Sequence, residues 1–213
     1  MTTPARRPKS PRRPDVAPAE AADTREQILA AAVSAASVHG VSRLSMTDVA
    51  RTAGVSRPTL YRYFASKEDL LAAALLAETT AVVAQVIEAV APIDDPRQAI
   101  EMGVLVTLRL ARAHPLLDRI VRTEPESLVP VLVAEVDAAG PSVLSMVRQT
   151  VEALLVAKVP GLDAPDIHRL ADVLTRVLIS YVVNAPDEPP ELVASSVATF
   201  LTVGALTPQE PSP

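Results

Sequence analysis

Residues 45–69, SMTDVARTAGVSRPTLYRYFASKED, constrain this chain more than any other stretch, because they read as two short helices, a tight turn and the start of a third. Ser45 with Asp48, and Ser66 with Asp69, are helix-start pairs: a hydroxyl caps a backbone N–H while an acid sits in the first turn. Between them Gly54 can turn the chain with no Cβ penalty, and Ser56 stands where the next helix needs a cap. Pro58 falls in that helix's first turn, where its missing N–H is harmless. The apolar set Val49, Ala50, Ala53, Val55, Leu60 and Phe64 is spaced to pack these helices together, which leaves Arg57, Thr59, Tyr61, Arg62 and Tyr63 for other faces. A helix-turn-helix whose second helix is basic, aromatic and polar has the form that enters a DNA major groove.

The run VARTAGVSRPTLYRYFASKEDLL resembles the DNA-binding signature of the tetracycline-repressor (TetR) family of bacterial transcriptional regulators, and the likeness spans residues 24–71. The resemblance implies an all-α homodimer: an N-terminal three-helix DNA-binding domain followed by a larger helical domain for ligand binding and dimerisation. It implies a regulator, most simply a repressor, that holds palindromic operator DNA and is released by a small effector. It also implies roles for individual residues. Ser45, Thr47, Ser56, Arg57, Thr59, Tyr61, Arg62, Tyr63 and Lys67 are the expected DNA contacts. Arg57 and Thr59 lie at the start of the second helix, where an arginine can donate to guanine O6 and N7 and a threonine methyl can meet thymine. Tyr61, Tyr63 and Lys67 resemble the family's phosphate contacts, with Lys67 at a helix N-terminus that itself favours an anion. Arg62 reads as solvated or phosphate-facing. Ser45, Ser56 and Ser66 have a simpler role as caps, worth about 1 kcal/mol each.

Charge supports this placement. The chain is acidic overall, with a formal net charge of −5. Residues 1–22 nevertheless carry Arg6, Arg7, Lys9, Arg12 and Arg13 against Asp15 and Glu20, and the excess acid falls beyond residue 70. The sign suits DNA only at the end that bears the helix-turn-helix. Pro4, Pro8, Pro11, Pro14 and Pro18 make residues 1–22 a basic arm that cannot propagate a helix, with order expected from Asp23. The domain reading is an arm at 1–22, a DNA-binding domain at 23–70, a ligand-binding and dimerisation domain at 71–206 and a tail at 207–213.

Past the DNA-binding segment the sequence is read from pattern alone. A long connector helix from Ser66 to about Ala91 is expected, then helices at about 97–113, from Pro115, from Thr123-Pro125-Glu126 with a kink at Pro130 and a stop at Gly140-Pro141, at 141–158, at 166–184, and from Asp187–Pro190 to near Gly204. That gives nine or ten helices and no strands. Wide apolar faces on 141–158 and 166–184 suit a pair buried in its own core and against a second copy, so the homodimer is expected there. Beyond the connector only Tyr181 and Phe200 are aromatic, which favours an aliphatic effector over a flat drug stacked between rings. Arg109 with Arg112, and Arg119 with Arg122, are spaced to meet an anionic head group, and Tyr181 and Asn184 could donate into a pocket; solvated helix faces are the plainer reading.

Other classes fit less well. With no cysteine, three histidines and no phosphate-cradling glycine cluster, nothing points to an enzyme, a metal or a cofactor; His168 and Asp172 alone fall short of a ligand set. Absence of cysteine, of a signal-peptide pattern and of any uninterrupted apolar run points to the cytoplasm. The alternative is a helical adaptor in which the helix-turn-helix is structural and the apolar surface binds another protein.

Overall fold

The computed structural model describes residues 18–124, 126, 142–184 and 187–206. Nine helices occur among them: α1 (Pro18–His39), α2 (Met46–Thr52), α3 (Arg57–Tyr63), α4 (Lys67–Val90), α5 (Pro96–Ala113), α6 (Pro115–Thr123), α7 (Val143–Lys158), α8 (Ala164–Val183) and α9 (Pro190–Leu206). No strand occurs among the described residues. The caps explain most of the starts. Ser45, Ser56, Ser66, Asp95, His114, Ser142 and Asp163 each accept a hydrogen bond from a backbone N–H in the first turn of their helix.

Two starts differ from the sequence reading. Helix α1 begins at Pro18 rather than Asp23, because a proline in the first turn of a helix gives up only an N–H that has no helical partner. Thr123 is the last residue of α6, not the opening of the next helix. The rest of the segment expected to follow, with Pro130 and Gly140-Pro141, lies outside the described residues apart from Glu124 and Glu126.

The side chains form two apolar cores. The first gathers Ile28, Ala32 and Ala36 of α1, Val49 and Ala50 of α2, Leu60 of α3, Phe64, and Leu70, Ala73 and Ala74 of α4. Leu116 and Ile120 of α6 join it, so the headpiece core takes in a helix far beyond residue 70. The second core joins Ile100, Val104 and Leu108 of α5 to Val151 and Leu155 of α7, Leu170, Leu174 and Leu178 of α8, and Val193 and Val197 of α9. Helix α4 belongs to both halves. It is long and apolar enough, by length and composition, to cross a membrane, contrary to the sequence reading that no run qualifies. Here Leu70, Ala72, Ala73, Ala74, Leu75 and Val90 are buried, and Val82, Val83 and Val86 line an internal cavity.

Candidate DNA-reading surface and effector cavity

The turn between α2 and α3 depends on Gly54, whose φ of 68° lies in the left-handed region, and on the Val55 N–H donating to Ala50 O at 2.9 Å. Helix α3 follows, and its single fully buried side chain, Leu60, fixes which face looks outward. Arg57 and Tyr61, four apart, therefore share the exposed face, with Arg62 beside them. Tyr61 is 45% exposed, a large ring in water with no core to fill.

Of the remaining expected DNA contacts, Ser45, Ser56, Thr59, Tyr63 and Lys67 are engaged within the protein, and Thr47 is bonded through its backbone alone. Ser56 Oγ accepts from the Thr59 N–H at 3.1 Å and pairs with Thr59 Oγ1 at 2.8 Å. Ser45 Oγ accepts from the Thr47 N–H at 3.2 Å, and the Thr47 side chain is exposed. Tyr63 is half-buried against the headpiece core, with the Arg62 guanidinium 5.4 Å from its ring centre. Lys67 Nζ donates to Ser42 O at 3.0 Å and so braces the α1–α2 loop.

That loop is also tied to the other half of the molecule. Glu124, the C-cap of α6, accepts from the Ser42 N–H at 2.7 Å and from Ser42 Oγ at 3.0 Å. Its carboxylate lies where a Cβ on Gly40 would stand, at 2.1 Å. The loop thus joins α6 to the helix-turn-helix by specific bonds, which sequence spacing gave no means of finding.

Between α4, α5, α7 and α8, and reaching the start of α6, lies a cavity of about 170 Å³. Its wall is Val, Leu, Ile and Ala, and no Phe or Tyr contributes to it among the described residues. Polar groups are few: Glu78, Thr79, Thr107, His114, Thr150 and Lys158. His114 Nε2 lies 2.8 Å from Glu78 Oε2, with the histidine side chain 15% exposed. Glu78 had a sequence signal that the arginine spacings obscured: it is the one charged residue in the apolar run LLAAALLAETTAVVAQVI.

None of the six residues expected at a ligand site lines this cavity. Arg109 is exposed and donates to Glu191 Oε1 from Nη2 at 2.6 Å and Nε at 3.2 Å, and these bonds hold the Glu191 carboxyl below its usual pKa. Arg112 Nη2 donates to Glu188 O at 3.1 Å, and Arg122 Nε to Asp118 Oδ1 at 2.6 Å. Arg119 is half-buried on α6, its Nε without a hydrogen-bond partner. Tyr181 packs against the second core, and Asn184 is the exposed C-cap of α8. The physical reason is common to Arg109, Arg112 and Arg122: a guanidinium on a helix edge reaches a neighbouring carboxylate or carbonyl in water before it reaches an apolar interior.

Comparison with known proteins finds two family models along the chain. Residues 28–74 match the family model for bacterial regulatory proteins of the tetR family, and residues 95–202 match that for the C-terminal domain of the bacterial tetracyclin repressor. An uncharacterized HTH-type transcriptional regulator of Mycobacterium bovis is 30% identical over 183 residues, which is 85% of this chain and 92% of the relative. Among solved structures, the TetR family repressor AlkX from a Dietzia strain, implicated in biodegradation of n-alkanes, aligns with a TM-score of 0.68 at 22% identity, covering 84% of this chain and 96% of that one. The fatty acid degradation regulator FadR from Bacillus halodurans aligns with a TM-score of 0.57 at 21% identity, covering 84% and 94%. With a helix-turn-helix headpiece, a helical body and both family models matched in order, the chain belongs to the TetR family of transcriptional regulators, which are not enzymes.

Proposed function

We propose that this chain is a ligand-released repressor that binds palindromic operator DNA in the cytoplasm as a homodimer, with an aliphatic small molecule as its effector. The observation that carries the reading is structural continuity. The outward face of Arg57 and Tyr61 stands on a core that includes Leu116 and Ile120 of α6, while Leu117 and His114 at the same helix face the apolar cavity. A ligand in the cavity therefore touches the element that supports the headpiece.

Two recognition helices must sit about 34 Å apart, or a multiple of it, to enter major grooves on one face of DNA. A ligand that prefers a dimer of different separation weakens DNA binding by its differential affinity, typically about 1–3 kcal/mol, and operator DNA weakens the ligand equally. Exposed apolar residues support pairing through α8 and α9. Leu192, Phe200 and Val203 fall on one side of α9 and are 58%, 77% and 64% exposed, with Val173 on α8 at 48%. Helix α7 offers only Val156 in this class, so α9 takes the place of residues 141–158 in the pairing read from sequence. The aliphatic effector is favoured by a wall without aromatic rings. AlkX and FadR, whose names concern n-alkanes and fatty acid degradation, are in keeping with it.

Arg57→Ala tests the DNA-reading half. Losing one bidentate base contact should weaken operator binding by about 1–3 kcal/mol and relax preference at one base pair of each half-site, with dimerisation unchanged. Fluorescence anisotropy on operator and competitor DNA measures both quantities. Equal loss on both DNAs would reassign Arg57 to phosphate, and no loss on either would favour the adaptor alternative.

A further inference from the structure

We infer that the Glu78–His114 pair is the polar anchor of the effector cavity, and that it takes an aliphatic ligand ending in a hydrogen-bond donor, an alkylammonium above all, in preference to a carboxylate. This rests on the reading of the cavity as the effector site.

Glu78 is an acceptor, and His114 is its one hydrogen-bond partner among the described residues. The other histidine nitrogen, Nδ1, accepts from the Leu117 N–H at 3.4 Å as the cap of α6, which makes Nδ1 an acceptor and leaves Nε2–H to donate to Glu78. In this arrangement the pair turns carboxylate lone pairs, and no free N–H, toward the cavity. Three threonines face the same space, and each hydroxyl proton is spent on its own helix: Thr79 on Leu75 O at 2.7 Å, Thr107 on Gly103 O at 2.7 Å and Thr150 on Met146 O at 3.0 Å. Each then has only lone pairs to offer a guest. The wall near Glu78 accepts and cannot donate, so an ammonium is satisfied there while a carboxylate meets a like charge with no N–H to receive it.

Lys158 is the rival anchor, and the one lysine or arginine on the wall among the described residues. Its Nζ already donates to Ala91 O at 2.8 Å and Ile93 O at 2.7 Å, holding the end of α4. From Glu78 to Ala91 along α4 is about 20 Å, so the two ends of the cavity are chemically separate. Occupation of Glu78 also has an outlet. A donor that takes the carboxylate releases His114, and His114 caps the helix whose Leu116 and Ile120 lie in the headpiece core.

Calorimetric titration of the full-length dimer with octylamine, 1-octanol and octanoate at neutral pH tests the assignment. The expected order is octylamine tightest, 1-octanol next and octanoate last, with about tenfold or more between the ends. Glu78→Gln should weaken octylamine about tenfold or more and remove its advantage over 1-octanol. The order on the wild-type protein decides without any variant. Octanoate binding as tightly as octylamine overturns the anchor but not the aliphatic cavity, and loss of that octanoate binding in Lys158→Met would place the anchor at the lysine. An octylamine affinity unchanged by Glu78→Gln also overturns it. Failure of all three probes to bind overturns the effector-site reading, and the anchor with it.

Discussion

Leu60→Ala is expected to unfold the headpiece while leaving the body intact. Helix α3 has seven residues, far below the length at which a helix persists alone in water, so packing must hold it. Leu60 is its single fully buried side chain, and it sits in a core with Ile28, Val49 and Leu70. Truncating such a leucine removes transfer free energy and leaves a void, together about 2–5 kcal/mol. A whole domain has only about 5–15 kcal/mol of stability, and the headpiece is the smaller of the two units, so this loss is a large fraction of what it holds. Denaturant unfolding followed by circular dichroism should show an early transition of partial amplitude, then the wild-type transition of the body. DNA binding should vanish and octylamine binding should persist. A single unshifted transition would mean that α3 is held by something other than Leu60.

The second large effect is expected at Gly40. Its φ of 87° lies where an L-residue loses roughly 1–2 kcal/mol, and a new Cβ would stand 2.1 Å from Glu124 Oε1. The carboxylate can swing away, but only by giving up its bonds to the Ser42 N–H and Oγ. Gly40→Ala should therefore destabilise by about 2 kcal/mol or more, part conformational and part lost hydrogen bonding. A double-mutant cycle separates the parts. In a Glu124→Ala background the contact is already gone, so Gly40→Ala should cost only the conformational share. Strict additivity in thermal unfolding would deny that Gly40 and Glu124 act on each other.

The headpiece was legible in the sequence because its signals are local. Ser45, Ser56 and Ser66 cap, Gly54 turns, and Val49, Ala50, Leu60 and Phe64 pack, each decided within a few residues of its neighbours. Where the structure departs from that reading, the competing effect is also local: composition puts Pro18 with the arm, yet a proline is tolerated at a helix start. The cavity was not legible, because its wall comes from helices far apart in the chain and only folding sets their side chains together. Arginine pairs at helical spacing suggested a ligand site, yet Arg109, Arg112 and Arg122 are engaged with Glu191, Glu188 O and Asp118 at the surface. Glu78 carried the better clue, a lone charge among apolar residues, and a charge in such a place needs either a partner or a purpose. The Glu124–Ser42 bonds, between residues 82 apart, left no sequence trace at all.

Selection of bound fragments from random-sequence duplex DNA by the full-length protein tests the central claim most directly. A headpiece that reads with Arg57 and Tyr61, doubled by pairing of the helical body, should enrich an inverted repeat whose half-sites are spaced to lie on one face of the duplex. Enrichment of an isolated half-site, or of no sequence at all, would contradict it.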